Sequence, residues 1–275
     1  MFKPQLGASL HTLGHVIDEE LSVLIANSKI KTLELLQWSF NENPSVTRKC
    51  VKILSAAGIK TVSIHADFWG GLDISAPDQE RRERSVRNAF DTSDLAAELG
   101  ASMIVIHSND DKITPDNRRI RKKHAMDSIR RIAAKCEERE QRLAIELLPG
   151  TCLGNHYEEL VELAGDLPRK TVGFCIDTNH LDKNPSLLPE TVKALRGRIF
   201  NTHLSDYDGI DEKHWLPGTG VINWKNFMAS LDETGYSGPF NFECIFRNNE
   251  TSKERISMIE GSYEKLIKES GEVND

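Results

Sequence analysis

Short apolar runs rich in β-branched residues alternate with longer amphipathic stretches along the chain, and this alternation leaves few folds open. The runs cover 5–10, 30–37, 59–66, 102–108, 143–148, 172–177, 199–206 and 239–246, giving eight candidate strands. Helical periodicity fills much of the space between them, over 46–57, 78–99, 118–140, 157–164 and 224–234, with a last helix over 252–268. Gly58, Gly100, Gly197 and Gly235 each stand just before a strand, where a helix is expected to stop. Eight βα units predict a single-domain (β/α)8 TIM barrel over 1–270, with a polar tail at 271–275; a doubly wound open sheet is the alternative. A chain of 275 residues, 39% hydrophobic and 28% charged, is large enough for one such core.

The strands end in the wrong residues for a plain core. Glu34, His65, His107, Glu146, Asp177, His203 and Glu243 all fall toward the C-terminal ends of their strands, so seven of the eight contribute one. In a barrel that end carries the active site. A single strand-end histidine or aspartate is more often hydrogen-bonded structure than a ligand, but the same explanation would have to hold seven times in register. Side chains two apart share a strand face, so each polar group follows a small, apolar or polar inward neighbour, as in Val105-Ile106-His107, Ala144-Ile145-Glu146 and Cys175-Ile176-Asp177. Gathering Glu146, Asp177 and Glu243 in a buried space would cost several kcal/mol per unpaired ion unless a cation neutralised them. The pattern therefore predicts a divalent metal.

Composition narrows the setting. A net charge of −7 and a pI near 5.8 oppose a protein whose main partner is a phosphate backbone, so no nucleic acid is expected. The five cysteines are scattered without CxxC spacing, which suggests neither a disulfide framework nor a zinc ribbon and fits a reducing cytoplasm. The opening Met1-Phe2-Lys3-Pro4 has no apolar signal core and no run approaches membrane length, so no membrane partner is expected.

Five motifs bring a resemblance into view: Ala144-Ile145-Glu146, Cys175-Ile176-Asp177-Thr178-Asn179-His180, Thr202-His203-Leu204-Ser205-Asp206, His214-Trp215-Leu216-Pro217-Gly218-Thr219-Gly220 and Phe242-Glu243. Together they resemble the xylose isomerase-like barrel superfamily over nearly the whole chain. That group includes sugar epimerases and isomerases of the D-tagatose 3-epimerase type, inosose dehydratases and endonuclease IV. The resemblance implies that Glu146, Asp177, His203 and Glu243 hold one metal ion. Three carboxylates and one imidazole favour Mn²⁺ or Mg²⁺ and admit Co²⁺ or Zn²⁺. It further implies that Glu146 and Glu243 exchange a proton with the carbon next to a carbonyl, each on one face of an enediolate.

The expected partner is thus a sugar-like hydroxy-ketone or cyclitol, isomerised or epimerised, with homo-oligomerisation left open. Dehydration of a keto-cyclitol or elimination from a 3-keto-glycoside shares the same first step and is the alternative. Substrate contacts are expected from His65, His107, His180, His214, Trp38, Trp69, Trp215, Arg247 and Glu34, the tryptophans offering flat faces to a sugar ring. His180 would reach a substrate oxygen or Glu146, or else only pack its loop; Arg247 would bind an anionic group or cap the last helix. An endonuclease IV-like zinc phosphodiesterase is a third reading. It draws on the same histidines and on the basic runs Arg81-Arg82-Glu83-Arg84 and Arg118-Arg119-Ile120-Arg121-Lys122-Lys123 at two helix starts. A barrel that only binds sugar is the non-enzymatic reading.

Overall fold

The computed structural model describes residues 2–271. Eight parallel strands close into a barrel in chain order, β1 (Leu6–Ser9), β2 (Thr32–Leu36), β3 (Lys60–His65), β4 (Met103–Ile106), β5 (Arg142–Glu146), β6 (Val172–Asp177), β7 (Ile199–Leu204) and β8 (Phe240–Phe242), with β8 pairing back on β1. The open-sheet alternative is excluded by that closure. Gly271 closes the last helix, and residues 272–275 of the expected tail lie outside the described residues.

Among the described residues ten α-helices clothe the barrel: α1 (Leu10–Leu13), α2 (Glu19–Ala26), α3 (Gln37–Glu42), α4 (Pro44–Ala56), α5 (Gln79–Leu99), α6 (Pro115–Glu138), α7 (Tyr157–Ala164), α8 (Leu188–Ala194), α9 (Trp224–Glu233) and α10 (Ser252–Gly271). The longer ones follow the sequence periodicity, and their starts are set by local chemistry. The side chains of Asp18, Asn43, Asp78 and Asn223 accept backbone N–H groups at the first turns of α2, α4, α5 and α9. Pro44 and Pro115 begin α4 and α6, so these helices start earlier than the periodicity indicated. α1, α3 and α8 have four, six and seven residues, too few turns to show a 3.6-residue repeat.

Two layers of core result. Ile104, Ile106, Leu143, Ile145, Phe174 and Ile176 point outward into the large cluster shared with the helices. Met103, Val105, Ala144, Cys175 and Phe200 form a second cluster on the opposite strand face, within the barrel. Period-2 alternation then carries His107, Glu146 and Asp177 to the inward face just above Val105, Ala144 and Cys175. A register shift between Phe174 and Cys175 lets Phe200 turn in and fill the barrel. Gly173 leaves the room: a Cβ there would strike the Arg198 carbonyl and come within 2.6 Å of the Phe200 ring. Among the described residues no helix is long and apolar enough to cross a membrane.

The Gly173 position gives a direct test of this packing. Gly173→Ala must push either backbone or the Phe200 ring, and should lower unfolding stability by about 3 kcal/mol, read by denaturant titration. A loss below about 0.5 kcal/mol would mean that Phe200 does not fill the barrel as described.

Candidate active site

Parallel register brings the strand-end residues together. Glu146 pairs in register with Cys175, Asp177 with His203, and His203 with Asn241, so the next residue on each inward face rises into one cup. Within it, Nδ1 of His203 lies 3.2 Å from Oε1 of Glu146 and 2.9 Å from Oε2 of Glu243. Asp177 accepts the Asn179 N–H through Oδ1 at 2.7 Å, while its Oδ2 is buried without a hydrogen-bond partner. One donor atom from each of Glu146, Asp177, His203 and Glu243 falls within 4.8 Å of the others, and all four residues are buried. Three carboxylates converging on one imidazole nitrogen, with one oxygen unsatisfied, fit a divalent cation.

Glu34 occupies a different place from the one expected of it. It is fully buried beneath His203, with Oε1 2.9 Å from Nε2 of that ring but off the hydrogen-bond axis. Its Oε2 accepts from Ser63 and from Asn201, each at 2.7 Å. A carboxylate fixed behind a histidine restrains its ring, and Glu34 does not line the cavity above the cup. Its place on the inward face of β2, three strands from β7 around the closed barrel, puts it below the cup.

Glu146 is the hub of the remaining histidines. Its Oε2 lies 3.0 Å from Nε2 of His65 and 3.2 Å from Nε2 of His107, so these three form a second donor group adjoining the first. A third group joins His180, Glu212 and His214, with Glu212 3.6 Å from a ring nitrogen of each histidine. Nδ1 of His180 also contacts the Leu147 carbonyl at 2.8 Å and stands 3.6 Å from Asp177. The expected reach of His180 toward Glu146 is present at 3.7 Å. Glu212 was not among the residues expected from the sequence; its Glu-x-His spacing to His214 was the available signal.

Buried carboxylates and histidines shift one another strongly in this cup. Burial alone would push His65 down, but its hydrogen bond to Glu146 and that carboxylate's charge raise it to about 9. Burial is likewise outweighed at His180, which the charge of Asp177 and the bond to Glu212 lift to about 10. Burial raises Asp177, whereas Glu146 and Glu243 are held well below the usual carboxylate range, against burial, chiefly by His203. Imidazolium protons thus supply positive charge that a metal would supply instead, and metal uptake would displace them.

Above the cup opens a cavity of about 590 Å³, within the range of small-molecule sites. His65, His107, His180, His214, Trp38, Trp69 and Arg247 line it, as do His11 and Phe68, which the sequence did not single out. His11 comes from the short α1, whose four residues carry no pattern. Trp215 is not in this wall. Its backbone pairs with that of Asp206 in both directions at 2.8 Å, which ties the β7–α9 loop and carries His214 to the rim. The Asp206 carboxylate completes the tie by accepting from Gly218 N–H at 2.9 Å and from the Trp224 indole at 2.8 Å.

Four residues of the basic runs at the helix starts are paired with carboxylates. Arg81 pairs with Asp111, Arg118 with Glu159, and Lys122 with Glu162. Arg121 is buried on Asp73, whose other contacts include the N–H groups of Asp110 and Asp111 at 3.0 and 2.9 Å. These ion pairs brace the loops after β3 and β4.

Comparison with known proteins places this geometry. The family model described as xylose isomerase-like TIM barrel matches residues 25–262. The chain belongs to that family. Among curated relatives, an inosose isomerase of Halalkalibacterium halodurans is 29% identical over 102 residues, 35% of this chain and 36% of that protein. A 3-dehydroshikimate dehydratase of Pseudomonas aeruginosa is 24% identical over 201 residues, 69% of this chain and 30% of the relative. The fold superposes on a D-tagatose 3-epimerase-like protein with a TM-score of 0.80, 21% identity and coverage of 96% and 98% of the two chains. It superposes on the IolI protein, solved with a zinc atom, with a TM-score of 0.81, 18% identity and coverage of 98% and 100%.

The unsatisfied Asp177 carboxylate sets a two-sided prediction. Asp177→Asn keeps the contact to Asn179 and removes a buried charge, so the metal-free variant should be at least as stable as wild type. At a divalent ion concentration of about 100 Kd, wild type should gain about 2.7 kcal/mol and the variant almost nothing. Equal gains in the two thermal melts would remove Asp177 from the metal site.

Proposed function

We propose that the cup holds a divalent metal and that the protein isomerises or epimerises a sugar-like hydroxy-ketone by moving a proton at the carbon next to the carbonyl. The observation that carries this is the placement of Glu146 and Glu243 on the two sides of His203 Nδ1, both carboxylates held ionised, at the floor of a sugar-sized cavity. A metal bound by Glu146, Asp177, His203 and Glu243 polarises the carbonyl and makes the adjacent C–H acidic. Zinc in the IolI structure is consistent with such a centre.

The side chains then have separable tasks. Glu243, more exposed than Glu146 at 8% against 2%, has its Oε1 uncommitted and takes or returns the proton on one face of the substrate. Glu146 serves the other face, its Oε2 held by His65 and His107. His180 and His214 meet substrate oxygens at the rim, and His203 is kept in orientation by Glu34. The aromatic wall of Phe68, Trp38 and Trp69 excludes water from the reacting carbon. A dehydratase or lyase of a keto-cyclitol or 3-keto-glycoside would use the same first proton transfer and the same residues, and the dehydratase relative keeps that outcome in the panel.

A second reading draws on one observation: the donor groups His65–His107–Glu146 and His180–Glu212–His214 flank the four-residue cup and share or adjoin its ligands. Three metals in that arrangement would suit hydrolysis of a phosphodiester, the endonuclease IV-like alternative. The commitment of Arg81, Arg118, Arg121 and Lys122 to carboxylates weighs against it, since it withdraws four cations of the basic runs from a nucleic-acid backbone.

Solvent exchange tests the first reading. Metal-loaded protein in deuterated water should place deuterium beside the carbonyl of a ketose or keto-cyclitol from a panel, even where net turnover is slow. Glu146→Gln and Glu243→Gln should each reduce the rate by roughly 10²-fold or more while metal content, measured in parallel, is retained. A metal-replete Glu243→Gln protein exchanging at the wild-type rate would refute Glu243 as a base.

A further inference from the structure

The aromatic wall does not end at the cavity that the reacting ring would fill. Starting from His107 beside Glu146, ring contacts run to Phe68 at 3.8 Å, to Trp69 at 4.9 Å, to Trp38 at 5.9 Å and to His15 at 5.8 Å between centroids. A ring stacked on one aromatic face covers about one such step. This run has four, and it leads out of the first cavity into a second of about 630 Å³ lined by His11, His15, Trp38, Asn41, Glu42 and Trp69. His11, Trp38 and Trp69 belong to both walls, so the two spaces adjoin along these rings.

Three properties of this shelf point to a ligand. Trp69 is 42% exposed although it is in contact with two other aromatic rings, leaving apolar surface open at the rim. His15 holds a φ of 71°, which a non-glycine residue seldom adopts, and its buried Nδ1 has no hydrogen-bond partner. The platform is also rigid. The Trp38 N–H donates to Asp67 at 3.0 Å, the Asp67 N–H donates to Gln37 at 3.0 Å, and Gln37 is fixed in turn by Asn88 and Thr92 at 3.0 and 2.7 Å. A fixed pair of indoles edged by Asn41, Glu42 and two imidazoles suits a ring with an apolar face and a polar edge.

We propose that this shelf is a second subsite that binds the distal ring of a two-ring substrate, so that the protein acts on a keto-glycoside in preference to a free monosaccharide. The inference rests on the sugar reading above: one ring sits over the cup with its carbonyl, and the glycosidic substituent lies on Trp69 and Trp38. The distal ring is a second sugar or an aromatic aglycone, which offer the same flat apolar face.

The test uses metal-loaded full-length protein and the 3-keto derivatives of methyl β-glucoside, phenyl β-glucoside and cellobiose, oxidised on the glucosyl ring at the non-reducing end. Affinity is read by calorimetry and deuterium uptake from solvent by mass spectrometry. The phenyl or the cellobiose compound should bind roughly 10-fold tighter than the methyl compound, in keeping with one added aromatic stack, and whichever does identifies the distal ring. In Trp69→Ala that ratio should fall to about one, and Trp69→Phe should restore most of it. Equal affinity of all three compounds for wild type, or a ratio unchanged in Trp69→Ala, overturns the second subsite while deuterium uptake leaves the sugar reading standing. Absence of both binding and deuterium uptake for all three overturns the keto-glycoside assignment, and absence of uptake across the wider ketose panel as well overturns the sugar reading with it.

Discussion

The structure is organised around a concentration of buried negative charge that its own residues only partly neutralise. Glu146 and Glu243 converge on one nitrogen of His203, Glu34 presses on the other, and a carboxylate oxygen of Asp177 lies within 4.8 Å of the same group. Two carboxylates at contact distance in a dry interior repel strongly, and removing their water costs several kcal/mol each. The chain meets that cost by surrounding Glu146 with histidines and by holding His65 and His180 in the protonated range. A core built only for stability would place apolar side chains here, as it does one layer below with Val105, Ala144, Cys175 and Phe200. The barrel thus divides into a stabilising apolar lower layer and a charged upper layer, the one proposed to hold a cation.

The rest of the fold serves that division. Parallel strands with inward alternation bring six side chains, those of His65, His107, Glu146, Asp177, His203 and Glu243, to one end without any long excursion of the backbone. Ion pairs that looked available for a ligand, such as Arg121 with Asp73, instead hold the loops after β3 and β4 in place over the cup. Asp206 does the same for the loop that carries His214. Braced loops around a charged floor hold its groups at fixed distances, which suits the proton transfer proposed for them.

Much of this was legible in the sequence because the two relevant signals are local. Strand alternation and the position of a residue at a strand's end are set within a few residues, and the eight runs with their seven strand-end polar residues could be read directly, whereas singling out Glu146, Asp177, His203 and Glu243 among them took the family resemblance. What could not be read depends on what lies across the barrel. Glu34 carries the same strand-end signature as Glu146, yet the inward face of β2 drops it below His203 and out of the cavity. Trp215 sits among motif residues, but its backbone pairing with Asp206 governs its position. Glu212 and His11 come from a loop and a four-residue helix, where no periodicity marks the side that faces the site.

The account turns on how many cations this charge cluster takes and where. Crystals grown with Mn²⁺ and a bound hydroxy-ketone, measured at the manganese absorption edge, resolve that question by anomalous scattering. One strong peak per chain, enclosed by the carboxylates of Glu146, Asp177 and Glu243 and by Nδ1 of His203, is the predicted result, with the ketone oxygen facing the same point. Three peaks, with the added two between His65, His107 and Glu146 and between His180, Glu212 and His214, would contradict the single-metal proton-transfer account and move the protein to phosphoester hydrolysis.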